Sequence, residues 1–364
     1  MSSIGFCWYF HLPSVASESE VHEHAVESLA LLLSLHRDSN RPLLLAPTGS
    51  FLELCRRHEP AVLESVAEAL STGIAQLGLT YFHETDPFEV RHVVAGELLR
   101  RDAELKQRMF GTTPTWFVPA NYLWVPGTER HCATLGVTQL ILDSRHFAEA
   151  TALRAWRWDT SGRTGEVRPR PVDTVLDENE TLAAHVVRFG AGAQMTAVWR
   201  DWPATRDLTF GSGGVIHQYD LDVVDHVVDR IAERPGLVVI ADDGDRVRGD
   251  SRAAYERVLQ LSDDVFDWNI TQLPRREMVG LSAFAPAGVA EMLHGHEDAR
   301  AYWHLLRQIE TSALTPTQYD VYLAAHDVFY PFWPDTARRL DYLNQVLDMV
   351  ETTSGSDRLG SGGQ

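Results

Sequence analysis

A chain of 364 residues, 44% hydrophobic and 9% aromatic, is long enough for an α/β barrel with a smaller attached part and has the composition of a soluble globular protein. Its net charge of −19 opposes nucleic acid and anionic lipid, which are bound mainly through basic patches, and no apolar run approaches the ~20 residues needed to span a bilayer. Nucleic-acid and membrane partners are therefore not expected, and a neutral small molecule or a carbohydrate is the natural ligand; the oligomeric state stays open. Met1 to Pro13 lacks a basic n-region and runs at once into strand-like Ile4 to Phe10, so no signal peptide is read and the expected compartment is the cytoplasm. Cys7, Cys55 and Cys132 are widely spaced and odd in number, which fits reduced core thiols.

Strand-like runs alternate with helical periodicity along the chain. After Ile4–Phe10, Val21 to His36 reads as an amphipathic helix, Pro42 to Ala46 as a buried strand, and Ser50 to Ser71 as one or two helices. Ala75 to Thr80 forms the next expected strand, Pro87 to Met109 a helix, Thr115 to Pro119 a short strand, Thr128 to Leu135 a helix, and Leu140 to Asp143 a strand. Such alternation predicts a parallel sheet covered by helices, and a barrel is favoured over a doubly wound sheet. Residues 159–180 turn polar and rich in Gly and Pro, as expected of an irregular insertion. Ala183–Val187, Thr196–Trp199 and Leu237–Ile240 resume as strands, and Asp220 to Glu233 reads as a helix. Residues 1–285 form the barrel in this reading, 286–352 a helical subdomain and 353–364 a disordered tail. Gly211 to Gly214 lacks the spacing of a nucleotide-binding loop.

The apolar run Leu237 to Ile240 breaks abruptly into Ala241-Asp242-Asp243-Gly244-Asp245-Arg246. A buried parallel strand ending in carboxylates opens onto the face where α/β folds place their chemistry; a solvated acidic turn before a helix at Arg252 is the plain alternative. Other strand ends add His11, Glu84, Asn121, Asp143 and Asp201. Trp8, Tyr9, Trp116, Phe117, Tyr122, Trp124, Trp199 and Trp202 lie beside them in sequence. Carboxylates among aromatic rings suit a sugar, whose apolar faces stack on rings while its hydroxyls bond to the acids.

In these pieces the chain resembles glycoside hydrolase family 57, whose members are retaining α-glucan enzymes. His11-Leu12-Pro13 echoes its first motif, Gly73-Ile74-Ala75-Gln76 the second, the stretch from Trp116 to Asp143 the third, and Asp242 to Val247 the fourth; His326-Asp327-Val328-Phe329-Tyr330 echoes a helical-region signature. The resemblance implies an incomplete (β/α)7 barrel with a C-terminal helical subdomain. It also implies Asp243 as the general acid/base. Asp245 and Glu84 are further catalytic candidates, and His11, Gln76, Trp116, Asn121, Tyr122, Asp242, His326 and Asp327 are candidates for substrate binding.

The departures from that family fall at the chemistry. Its nucleophilic glutamate follows the proline of the third motif, and here Ala120 follows Pro119. Its second-motif glutamate stands as Gln76 and its fourth-motif glutamate as Asp245. A methyl group cannot attack an anomeric carbon, so ordinary double displacement is not expected. The favoured reading is a carbohydrate-active enzyme of non-standard mechanism, in which Asp243 is the acid and Glu84 or Asp143 the base on a water. One alternative recruits the barrel to other small-molecule chemistry through His11, Asp243, Asp245 and a divalent metal; another makes it a non-catalytic sugar-binding or regulatory homologue. No cofactor is expected, because no His-x3-His pair lies at a strand end and His22 and His24 fall on different sides of their helix. Leu273 to Met278 reads either as a pocket segment or as a solvated loop, and Arg200 is expected to pair with Asp201 or Asp207.

Overall fold

The computed structural model describes residues 2–146, 184–189, 193–209, 221–233, 236–260, 266–273, 275–281, 283–285, 297–309, 311–327 and 341–350. The strands are β1 (Ser2–Phe10), β2 (Leu43–Pro47), β3 (Ala75–Leu79), β4 (Trp116–Phe117), β5 (Gln139–Asp143), β6 (Ala184–Arg188), β7 (Gln194–Arg200), β8 (Gly236–Asp243) and β9 (Arg275–Val279). Strands β1, β2, β3, β4, β5, β7 and β8 are parallel and pair in that cyclic order, β8 returning to β1, so the sheet closes into the seven-stranded barrel of a (β/α)7 fold. Their C-terminal ends share one face, the mouth.

Side-chain alternation sorts the layers. Cys7, Tyr9, Leu44, Ala46, Val239 and Ala241 belong to one apolar cluster, while Phe6, Trp8, Phe10, Leu43, Leu45, Val238 and Ile240 join the helix residues of a second. The period of two thus turns odd-numbered positions of β1 and β8 inward and even-numbered ones toward the helices. All three cysteines are free and buried.

After β1 and a loop, α1 (Glu18–His22), a π-helical segment (Glu23–Ala30) and α2 (Leu31–Asp38) run on from one another without a break. They begin at a capping box in which Ser17 Oγ accepts from the Glu20 amide and Glu20 Oε2 accepts from the Ser17 amide. Helices α3 (Gly49–His58) and α4 (Pro60–Ser71) divide at Pro60, and α5 (His92–Phe110) stops at Gly111, whose φ of 67° closes the last turn. The helix expected from Pro87 begins only at His92. Asp86 Oδ1 accepts from the Phe88 amide at 2.9 Å, a local turn that competes with helix at Pro87. Around the rest of the barrel lie α6 (Thr128–Thr134), α7 (Trp202–Thr209), α8 (Leu221–Ala232) and α9 (Arg252–Leu259). Helices α10 (Glu297–Gln308), α11 (Pro316–Ala324) and α12 (341–350) contribute Tyr302, Trp303, Tyr322 and Val346 to the cluster that holds Leu98 and Phe117.

Two features differ from the sequence reading. The segment from Leu273 to Met278, read as either a pocket segment or a solvated loop, enters strand β9 at Arg275, and β9 lies parallel to β6; β6 in turn runs antiparallel to the first part of β7. Consequently β7 meets β8 at the single register pair Arg200↔Val239. The expected insertion at 159–180, Gly211–Gly214 and the tail from 353 lie outside the described residues. Among the described residues no helix is long and apolar enough to cross a membrane.

Candidate active site

Four strand ends supply the centre of the mouth. Just past β1, His11 places Nδ1 2.7 Å from Glu84 Oε2 and Nε2 3.8 Å from Asp243 Oδ1. Glu84 lies five residues beyond β3 and is buried; its other oxygen accepts from Asn121 Nδ2 at 2.5 Å. Asn121 and Tyr122 follow β4 with φ of 49° and 58°. Left-handed backbone is tolerated by Asn but uncommon for an aromatic residue, and such conformations collect at functional sites. Here the turn sends the Asn121 amide to Glu84 and lays the Tyr122 ring against the Arg200 guanidinium, 3.6 Å from its carbon. Ala120, fully buried, opens the same turn. Asp243 ends β8 directly across from Tyr9 in register, so both face inward.

Burial is the main force on the charges. It pushes the Asp243 carboxyl up to about 7, opposed by His11 and reinforced by Asp242, Asp245 and Glu84. For His11 burial works against the charged ring, yet Glu84 outweighs it with help from Asp243 and Asp245 and carries it to about 10. At neutral pH the site therefore holds a charged imidazole, and a carboxyl near half-protonation whose side chain is 32% exposed. The Tyr9 and Tyr122 hydroxyls are buried without a hydrogen-bond partner among the described residues.

A second cluster braces the mouth between β5 and β7. Asp143 accepts from Arg145 Nε (2.8 Å) and Nη2 (2.7 Å) and from Arg200 Nε (2.7 Å), while Arg200 Nη1 donates to the Ala241 carbonyl at 3.0 Å. Trp202 stacks on both guanidiniums, 3.8 Å from that of Arg145 and 4.8 Å from that of Arg200. These contacts correct two expectations. Arg200 pairs with Asp143, whereas Asp201 accepts from the Ala204 amide and Asp207 pairs with Arg206. Asp143 is committed to two cations, which hold its carboxyl low against burial, and is a brace rather than a base. Arg145 carries no motif that would have singled it out in the sequence.

The structure gathers His11, Glu84, Asn121, Asp243 and Asp245 together. Asp327 joins them through a backbone bridge to Thr85. Other candidates lie elsewhere. Asp242 has outward parity and takes the Thr209 hydroxyl of α7. Gln76 sits near the start of β3, exposed, and donates to the Asp267 carbonyl at 3.2 Å. Trp116 opens β4 and packs edge-on against Trp268 in the core at 5.2 Å. His326 is buried, with Nδ1 2.9 Å from the Tyr322 carbonyl, and burial pushes it down to about 4. Trp8, Phe117, Trp124 and Trp199 are likewise core residues, which leaves Tyr9, Tyr122 and Trp202 as the rings near the acids. Among the described residues no group of three or more His, Cys, Asp or Glu side chains is arranged to hold a metal ion.

No family model and no curated protein sequence matches the chain. Solved structures do. The chain superposes on a glycoside hydrolase family 57 branching enzyme of Thermococcus kodakaraensis with a TM-score of 0.69 at 10% identity, covering 96% of this chain and 89% of that one. Against the α-amylase AmyC of Thermotoga maritima the TM-score is 0.64 at 11% identity, with 99% and 94% covered. For the 4-α-glucanotransferase of Thermococcus litoralis it is 0.62 at 12% identity; this chain is covered to 85% but spans 44% of that protein. The barrel and its attached helices are thus similar in fold to family 57 enzymes over most of the chain.

Proposed function

We propose that this protein is a carbohydrate-active enzyme that uses Asp243 as general acid on a sugar or sugar-like substrate, without the covalent step of its structural neighbours. The observation that carries this reading is an inward-facing carboxyl at the end of β8, poised at about 7 beside a charged histidine, while the residue after Pro119 is Ala120. A catalytic acid works best with a pKa near the operating pH.

Both Glu84 oxygens are engaged by His11 and Asn121, so its part is to fix the imidazole rather than to act as base. Asp245 is 25% exposed and lies 3.8 Å from Arg248; it is the carboxylate left to activate a water. In the proposed step Asp243 gives its proton to the glycosidic oxygen as the C–O bond breaks. Water forms the new C–O bond from the opposite face and yields its proton to Asp245, inverting the anomeric centre. His11 holds the oxygens around this proton in place.

Mass spectrometry of maltooligosaccharide digests tests the reading on the wild type, Asp243→Asn and Ala120→Glu. Wild-type cleavage that falls by about 10²- to 10⁴-fold in Asp243→Asn is expected, with inverted product at the anomeric carbon by proton NMR. Undiminished turnover in Asp243→Asn would remove the acid role. Silence of the wild type with activity gained in Ala120→Glu would mean that a glucan site survives and lacks its nucleophile alone.

A further inference from the structure

Three arginines around the mouth have their Nε–H satisfied. Arg145 and Arg200 donate from Nε to Asp143, and Arg248 donates from Nε to the Asp245 carbonyl at 2.9 Å. Arg246 differs. Its Nε is buried with no acceptor among the described residues, and its Nη2 lies 3.7 Å from Asp243 Oδ2, too far for a hydrogen bond. Nε and Nη2 form the edge of a guanidinium that grips two oxygens at once, as Arg145 does with Asp143 at 2.8 and 2.7 Å. A buried donor left without an acceptor costs free energy, and this one belongs to a side chain that is 36% exposed as a whole and lies beside Asp243.

The backbone holds Arg246 there. Gly244 starts the 3-10 turn Gly244–Arg246, and a Cβ at that position would meet the Phe10 ring at 2.2 Å. The chain therefore passes closely over Phe10, and the turn brings Arg246 back to Asp243.

We propose that Arg246 is a specificity-determining residue whose Nε–Nη2 edge binds a pair of ligand oxygens next to the atom served by Asp243. The pair is two sugar hydroxyls or the carboxylate of an acidic sugar. This inference rests on the sugar-site reading above and adds a consequence to it. Asp243 is faced by His11 after β1, Glu84 after β3, and Asp242, Asp245 and Arg246 from its own strand end. His11 and Arg246 are its cations. A ligand carboxylate on the Arg246 edge compensates one of them, so binding of an acidic sugar favours the protonated acid.

Isothermal titration calorimetry with glucose, maltotriose and glucuronate on the wild type, Arg246→Gln and Arg246→Lys tests this, alongside carbon-13 NMR of the Asp243 carboxyl during a pH titration. Arg246→Gln is expected to bind about ten- to hundredfold more weakly, the range for a charge-assisted hydrogen bond, and to shift the Asp243 titration upward. Arg246→Lys keeps the charge and lacks the fork, so it leaves the titration in place without restoring affinity. A preference for glucuronate identifies the carboxylate as the bound pair; a preference for the neutral sugars identifies the hydroxyls. Equal affinity of wild type and Arg246→Gln overturns the assignment while leaving the sugar site standing. Failure of all three sugars to bind the wild type overturns the sugar-site reading and the assignment with it. Both substitutions should leave the melting temperature unchanged, because the contact with Asp243 is loose; a large drop in Arg246→Gln would mark a structural role and overturn the proposal.

Discussion

At the residue scale, the sharpest expectation concerns the proton on Asp243. If the protonated form is the acid, turnover falls by about tenfold per pH unit above the Asp243 pKa, which burial raises to about 7 against the pull of His11 and with the help of the surrounding carboxylates. Replacing His11 with Gln removes the cation that draws this value down, so the falling limb should move to higher pH; a limb that stays put in a pH–rate profile would show that another group titrates. Asp243, His11 and Glu84 were legible as residues just past expected strands. Gln76 and Trp116 were not separable from them by sequence, because a motif match does not tell which end of a strand a position occupies. Asp242 and Asp243 differ by one step of the pleat, enough to send one carboxylate to the Thr209 hydroxyl and the other into the barrel.

At the element scale, the docking of α5 on β3 rests on a fully buried ion pair. Lys106 Nζ donates to Asp102 Oδ2 at 2.6 Å and to the Gly78 carbonyl at 2.7 Å, and Asp102 Oδ2 also accepts from the Thr80 amide at 2.9 Å. The pair thus fixes the end of β3 five residues before Glu84. Asp102→Ala alone should cost about 3–5 kcal/mol in chemical denaturation, because an unpaired ammonium is left in the core. The joint change Asp102→Leu with Lys106→Met should be close to neutral, since burying two ions is itself expensive; a double variant as unstable as the single one would contradict this account. Gly244→Ala should cost about 1–3 kcal/mol through overpacking against Phe10. Strands and helices of the barrel were readable from alternation and periodicity. Strand β9 was not, because Arg275-Arg276-Glu277-Met278 has the polarity of a loop; its place is set by pairing with β6, a contact between distant segments.

On the scale of the whole molecule, buried titratable groups define a pH window. Burial pushes His36, His83 and His326 down to about 4, 3 and 4. Their folded values lie below the unfolded value of 6.5, so the stability they confer is full above that pH and lost as pH falls toward 4. His11 works in the opposite sense: its value rises to about 10, so its contribution is full below 6.5 and lost as pH climbs through 10. Asp243, raised from 3.8 to about 7, also erodes stability as pH rises between those values. The urea midpoint should therefore peak between about pH 5 and 7 and fall on both sides; a midpoint still rising at pH 9 would contradict the His11 assignment.

The barrel is also unevenly fastened. Strand β8 is zipped to β1 along eight register pairs from Ser2↔Gly236 to Tyr9↔Asp243, but to β7 by Arg200↔Val239 alone. Arg200 stitches that same seam from its side chain, through Nη1 to the Ala241 carbonyl. The wall beside Asp243 is thus closed more by one guanidinium than by a ladder of amides, and a hoop so fastened yields first at its clasp. In hydrogen exchange, Arg200→Met should release the amides of β7 and β8 well before those of β1 and β2, so that the strand carrying the acid becomes the part of the barrel that breathes.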